Sequence, residues 1–231
     1  PQAVHVRITV LPYEIAGRGD NEPWRHSRLR WLNSTAGTGD VIPEPYTPLK
    51  VDGPAITCLG RRLTVGADGL PSAIASEKSP VLQSPARFII ETRSGRLAFT
   101  PGKLKWLKQT AARVAWQGDS TSKSGSLSCT GEMEYDGQVL YRMAFTPSAD
   151  LDLKDVRLEL PYKPESASYI LGAGHPGGLR PKEFKWDWSG PFNSFWLGSA
   201  SAGLHCKLLG GSYTGQMLNL YHPAPPTSWG N

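Results

Sequence analysis

Hydrophobic and polar residues alternate along most of the chain, as expected for β-strands whose two faces meet different surroundings. The clearest alternation runs from Leu127 to Tyr135, and a second extends from Val139 to Phe145. Asp136-Gly137 lies between them. Because an Asp-Gly pair tolerates the positive φ angles of a tight primed turn, the pattern predicts a β-hairpin.

Shorter alternating segments predict further strands on both sides of this hairpin. A polar stretch, 119–125, predicts a loop before the hairpin, and a one-residue slip near Lys154-Asp155 predicts a bulge or a tight bend after it. The strands over 110–161 are predicted to form a meander, whereas the four prolines of 38–54 indicate an extended loop. The other predicted strands cover 4–11, 55–59, 61–65, 87–92, 103–108, 112–116, 168–171, 195–197, 204–209 and 217–221.

No segment carries a sustained apolar stripe of helical period and length. Many short strands without crossover helices favour an antiparallel architecture over a parallel α/β sheet. The sequence therefore predicts an all-β fold, an antiparallel two-sheet β-sandwich of the jelly-roll or super-sandwich type. A chain of 231 residues can form such a fold as one domain over 1–231.

Charge, hydropathy and cysteine content exclude some classes of partner and give no information on the redox compartment. The net charge of +5 is spread along the chain, with no basic block, so nucleic acid is not expected as a partner. No apolar stretch is long enough to span a bilayer, so no membrane partner is expected. Cys58, Cys129 and Cys206 lie in apolar runs and imply neither a disulfide framework nor a redox compartment.

Motifs for catalysis, metal or cofactor binding are not found. The five histidines are scattered, no G-x-S-x-G occurs, and the acidic pairs at 132/134 and 150/152 are interpreted as surface charges. Residues 172–177 match G-x-G-x-x-G, but Pro176 and the absence of a following helix argue against a nucleotide. We expect a loop here whose backbone either comes close to another group or turns sharply, with no cofactor and no metal.

An aromatic cluster near the C-terminus is the best candidate for a binding surface. Trp186 and Trp188 are two residues apart, so a strand would present both rings on one face, where indoles can stack on sugars. Trp196 is near in sequence, and His175 and Arg180 could bind hydroxyl groups. The alternative, which packing statistics favour, is that these rings fill the core or an interface between domains.

A set of short motifs carries a resemblance to a known family. The set comprises Arg30–Thr35, Pro45–Leu49, Leu59–Arg61, Gly69–Pro71, Gly172–Pro181, Phe195–Gly198, Ala202–Cys206 and Ser228–Asn231. Their order and spacing resemble the N-terminal β-sandwich region of proteins similar to glycoside hydrolase family 123. The resemblance spans nearly the whole chain.

The resemblance implies that the 231 residues precede a (β/α)8 barrel in a longer bacterial, secreted or envelope protein. In the family, an adjacent Asp-Glu pair of the barrel acts with the substrate acetamido group on N-acetylgalactosaminides. No two acidic residues are adjacent here, so no catalytic residue is assigned and the chain alone is not expected to be catalytic. We expect an accessory domain whose partner is the downstream catalytic domain, or alternatively a carbohydrate-binding module.

Overall fold

The computed structural model describes residues 6–14, 17, 39–186 and 193–209. The chain divides into two compact units, Pro1–Val41 and Ile42–Asn231. Strands dominate the second unit, and a short 3₁₀ turn covers Pro164–Ser166. Within the described ranges there is no helix of the length and apolarity needed to cross a membrane.

In the first unit, residues 6–11 form no strand. The predicted strand 4–11 is therefore wrong over the part that the structure describes. Val6, Ile8 and Val10 keep the predicted alternation, yet their side chains are 78%, 83% and 88% exposed. Alternation favours an extended backbone, but a strand also needs a neighbour to pair with its N–H and C=O groups.

The strands that the structure describes lie in the second unit and are mostly short. They are β1 (Lys50–Asp52), β2 (Ala55–Cys58), β3 (Arg61–Val65), β4 (Pro71–Ser76), β5 (Ser79–Pro80), β6 (Arg87–Thr92), β7 (Gly95–Arg96), β8 (Thr100–Pro101), β9 (Lys105–Gln109), β10 (Arg113–Ser122), β11 (Gly125–Glu134), β12 (Val139–Pro147), β13 (Leu153–Glu159), β14 (Tyr169–Gly172), β15 (His175–Leu179), β16 (Ser194–Gly198) and β17 (Gly203–Lys207).

Antiparallel pairing joins these strands into four sheets. The first sheet has the order β1-β2-β3-β4-β5, and the second has β12-β11-β10-β8, with β9 also on β10. The third has the order β13-β6-β7, and the fourth β15-β14-β16-β17. The predicted all-β antiparallel class is confirmed. The strands form four small sheets, arranged like the blades of a propeller, and do not divide clearly into the two layers of the predicted sandwich.

The predicted hairpin is confirmed as β11 and β12, with Leu127 opposite Phe145. Its turn is looser than the sequence indicated, because four residues separate the strands. Gly137 has a φ of +87°, whereas Asp136 has a negative φ. The Asp136 carboxylate instead accepts a hydrogen bond from the Gln138 amide at 2.8 Å, which closes the turn.

The strands next to this hairpin show that a local sequence pattern does not determine where a strand ends or which strand it pairs with. Strand β10 continues through 119–122, which the sequence assigned to a loop, because pairing with β11 satisfies its backbone. The predicted bulge is confirmed by a register shift between Leu153 and Asp155. However, β13 pairs with β6 and not with β12, so the predicted meander over 110–161 is wrong at its last strand. Likewise, β1 lies within the predicted loop 38–54.

Trp116 occupies the centre of the main core and is fully buried. Its Nε1 donates a hydrogen bond of 2.9 Å to the backbone oxygen of Gly69, in the turn between β3 and β4. The rings of Trp106 and Tyr141 meet it edge-on, with centroids 6.3 and 5.8 Å away. The first and second sheets therefore share one anchor, which is both apolar and hydrogen-bonded.

Two glycines allow this anchor to form. A Cβ on Gly131 would lie 2.2 Å from the Trp116 ring. A Cβ on Gly118 would lie 2.1 Å from the Gly69 nitrogen and 2.2 Å from the carbonyl carbon of Asp68. The turn backbone and the indole thus lie directly on the strands, where any side chain would displace them.

We expect Gly131→Ala to destabilise the protein by about 1–3 kcal/mol, because the new methyl group must displace a fully packed indole. Denaturant unfolding measures this loss. Gly39→Ala is the control, since its Cβ would meet no atom within 4 Å. Equal stability of the two variants would contradict the packing described for Trp116.

Asp68 predicts a pH dependence of stability. Burial raises the pKa of its carboxyl group, against a hydrogen bond from the Leu70 amide, so the folded chain binds this proton more tightly than the unfolded chain. The stability that this proton confers is present at low pH and lost as pH rises through the folded pKa. Asp68→Asn should therefore stabilise the protein at pH 7 and have a smaller effect near pH 4.

Denaturant midpoints at the two pH values measure the Asp68→Asn effect. The matched control is Asp136→Asn, which changes a turn aspartate with the same kind of backbone hydrogen bond. A gain for Asp68→Asn that is independent of pH, or equal to that of the control, would argue against burial as its cause.

Candidate functional site

The fourth sheet has an inner face that packs on the body of the domain. Ile170 is opposite Leu197, which is itself opposite Leu204, so these three side chains share one face. Leu204 contacts a buried cluster that includes Val81 and Leu82. This face therefore packs against the core.

The outer face of the same sheet is apolar but exposed. Tyr169 lies opposite Leu179, while Leu171 and His205 flank Trp196 on its two sides. Tyr169, Leu171 and Leu179 are 43%, 53% and 75% exposed. We call these five residues the outer-face patch. Grouped apolar side chains of this kind mark contact surfaces more often than scattered ones do.

Trp196 has a defined position within the patch. A Cβ on Gly198 would lie 2.4 Å from its Cζ2 atom, and a Cβ on Gly203 would lie 2.8 Å away. The indole thus lies over the glycine pair that ends β16 and begins β17, and it remains partly exposed. The ring is fixed in place without being buried between sheets.

The glycine-rich motif 172–177 forms the hairpin between β14 and β15. Gly172 pairs with His175, and the two turn residues, Ala173 and Gly174, have φ angles of +51° and +80°. Positive φ at both positions is the signature of a type I′ turn. The expected sharp turn is confirmed, although the sequence did not predict that a strand follows it.

His175 and Arg180 are both engaged with their own neighbourhood. The His175 ring meets Phe184 edge-on at 5.4 Å, and its Nδ1 accepts a hydrogen bond from the Gly177 amide at 3.1 Å. The guanidinium of Arg180 donates to the backbone oxygens of Ala167 at 2.7 Å and of Pro181 at 3.0 Å. These contacts give both residues a local structural role.

Trp186 lies in an irregular segment after β15 and is partly buried. The strand expected to align its ring with Trp188 is not formed on the Trp186 side, and Trp188 lies outside the described residues. Of the four predicted residues that the structure describes, the outer-face patch contains Trp196. The described geometry does not bring His175, Arg180 or Trp186 into that patch.

Sequence reasoning missed Tyr169, Leu171 and Leu179, although a signal was present. Residues 169–171 and 195–197 are apolar without alternation. A strand that is apolar on both faces usually has both faces covered. Here one face has no cover from the described residues, and this contrast identifies the patch.

Two ionisable groups near the inner face of the fourth sheet do not suggest chemistry: Cys206 on β17, and Tyr162, which packs on the same buried cluster as Leu204. Burial raises the pKa of the Cys206 thiol and of the Tyr162 hydroxyl, so both stay neutral near pH 7. In the described part of the chain, no group of three or more His, Cys, Asp or Glu side chains could hold a metal ion.

Comparison with known families gives a match over most of the chain. The family described as "Glycoside hydrolase 123, third domain" matches residues 49–231. No curated protein gives a significant match. The family name numbers this domain third, whereas the sequence analysis predicted that it precedes the barrel. The order of domains in the longer protein therefore stays a prediction.

We expect Arg180→Ala to destabilise the protein by about 1 kcal/mol, because the carbonyl groups of Ala167 and Pro181 lose charged donors. Thermal or denaturant unfolding tests this. Lys182→Ala, a nearby exposed cation, is the control. A glycan-binding defect in Arg180→Ala with unchanged stability would instead assign Arg180 to a ligand.

Proposed function

Since the chain belongs to the glycoside hydrolase 123 third-domain family, we propose that it is a non-catalytic accessory domain of a glycoside hydrolase. Its outer-face patch packs against the catalytic domain of the same polypeptide. Following the family resemblance, the parent enzyme acts on N-acetylgalactosaminide-type glycans. The exposed apolar patch is the observation that carries this proposal.

The composition of the patch favours burial against a protein surface over exposure to water. Leucine, tyrosine and tryptophan side chains lie side by side on a sheet, and His205 is the one basic side chain among the five residues of the patch. Covering a large apolar side chain contributes about 1.5–3 kcal/mol. A protein surface of matching shape would cover several of these side chains at once.

Catalysis is assigned to the partner. Glycoside hydrolysis normally needs two carboxylates on opposite sides of the scissile bond. On the fourth sheet, the described strands carry no Asp or Glu. An accessory domain at this surface would stabilise or border the catalytic cleft without supplying reacting groups.

The alternative from the sequence is a carbohydrate-binding module that uses Trp186 and Trp188. It has less support, because Trp186 does not lie on a strand that could align two rings. Trp186→Ala distinguishes the two hypotheses. Loss of glycan binding without loss of the contact with the catalytic domain would favour the carbohydrate-binding module.

The outer-face patch is tested with Leu171→Asp in the full-length parent enzyme. A charge there should weaken docking by about 10- to 100-fold, because a buried leucine contact is replaced by a desolvated carboxylate. Hydrogen exchange of the β14 and β15 amides reports the docking. These amides should be slower in the parent than in the 231-residue chain, and faster again in the variant.

Leu153→Asp is the matched control, since Leu153 on β13 is 49% exposed against 53% for Leu171. It should leave the exchange of β14 and β15 unchanged. If the parent enzyme gave these strands no extra protection, or if both variants behaved alike, the proposed contact would be wrong.

A further inference from the structure

A cavity of about 450 Å³ lies where the first three sheets meet, away from the outer-face patch. Asp68 reaches it from the turn between β3 and β4, and Phe88 from β6. Arg96 reaches it from β7, and Ser120 from β10. The volume is within the range of small-molecule sites, about 300–1,000 Å³.

Asp68 offers this cavity a carboxyl group with spare hydrogen-bonding capacity. One of its oxygens accepts from the Leu70 amide at 3.1 Å, which fixes the side chain. The described hydrogen bonds leave the second oxygen without a protein donor, and Asp68 is one of the residues that line the cavity. Burial raises the pKa of the group, which is typical of ionisable residues in ligand clefts.

Arg96 is the cation with the greatest freedom at the cavity. Glu91 lies directly opposite it in the third sheet, but that carboxylate is paired with Arg157 at 2.9 Å. Arg87, also at the cavity, is paired with Glu159 at 2.7 Å. Over residues 39–186, no carboxylate forms an ion pair with Arg96, so its five N–H donors can meet a ligand.

The charges around the cavity balance. The charged side chains that line it are Arg87, Arg96 and Asp68, and Arg87 is paired with Glu159. The remaining two, Arg96 and Asp68, have opposite signs. A negatively charged ligand would therefore gain little from the summed field, which favours a neutral ligand with many hydroxyl groups.

Aromatic rings complete the site. Phe88 and Phe99 are both partly exposed at the cavity. Phe99 is held edge-on against Phe145, with ring centroids 5.9 Å apart. A rigid ring beside a carboxyl group, a guanidinium and a hydroxyl matches the alternating C–H faces and O–H edges of a sugar.

We propose that this cavity binds a neutral saccharide, which stacks on Phe88 and Phe99 and hydrogen-bonds to Asp68, Arg96 and Ser120. A second cavity of about 300 Å³ shares Leu97 with the first. Ser94, Asp150 and Asp152 line it. The two together suit an oligosaccharide, with further sugar rings continuing past Leu97.

The site is tested on the 231-residue chain by NMR titration with neutral mono- and disaccharides of hexoses and N-acetylhexosamines. At least one disaccharide should bind, with amide shifts confined to 68–70, 87–88, 96–99 and 120. Arg96→Met and Ala98→Trp should each weaken binding about 10- to 100-fold, by loss of charged donors and by filling the cavity. Circular dichroism confirms that each variant is folded.

Arg62→Met is the matched control, because it removes an exposed arginine of the first sheet that does not line the cavity. It should bind like the unmodified chain, and so should Leu171→Asp. The second result separates this site from the proposed domain contact, so either proposal can fail alone.

Several results would overturn the proposal. They are no binding up to about 10 mM saccharide, unchanged binding by Ala98→Trp, or shifts at the outer-face patch or near Trp186. A sulfated disaccharide that bound more tightly than its neutral counterpart would refute the neutral ligand. Equal losses in Arg96→Met and Arg62→Met would indicate non-specific attraction.

Discussion

The contact between Trp116 and the Asp68-Gly69 turn determines how the sheets of this domain meet. One hydrogen bond, 2.9 Å long, joins an indole of the second sheet to a backbone oxygen in the turn between β3 and β4 of the first sheet. It forms because Gly118 and Gly131 leave room for backbone and ring to touch. The same turn presents Asp68 to the cavity, so the anchor of the core also positions the proposed saccharide site.

Local alternation predicted strands well and their partners poorly. The spans 61–65 and 87–92 agree with β3 and β6 to the residue. The pairing of β13 with β6 could not be predicted, because a strand's pattern records which faces are buried and not which edge it joins. Grouping into four sheets is likewise set by long-range packing, which no short window of sequence contains.

For the candidate sites too, the sequence indicated single residues but not which residues come together. Aromatic spacing in the sequence directed attention to Trp186 and Trp188, whereas the described structure brings Trp196 together with Tyr169 and Leu171 through cross-strand register. Register is a property of two strands, so no single motif contains it. Arg96 and Asp68 are 28 positions apart, in ordinary surroundings, and only the folded chain brings both to one cavity.

Close backbone contact at Gly118 also sets which loops can vary in length. The turn at 66–69 is pressed against β10, so an inserted residue there would shift both the indole's acceptor and Asp68. The turn at 123–124, which joins β10 to β11, ends a long regular ladder far from that contact. Natural diversification at 123–124 can therefore lengthen the chain without disturbing the core, and because Ser124 lines the second cavity, it would change that end of the proposed saccharide site.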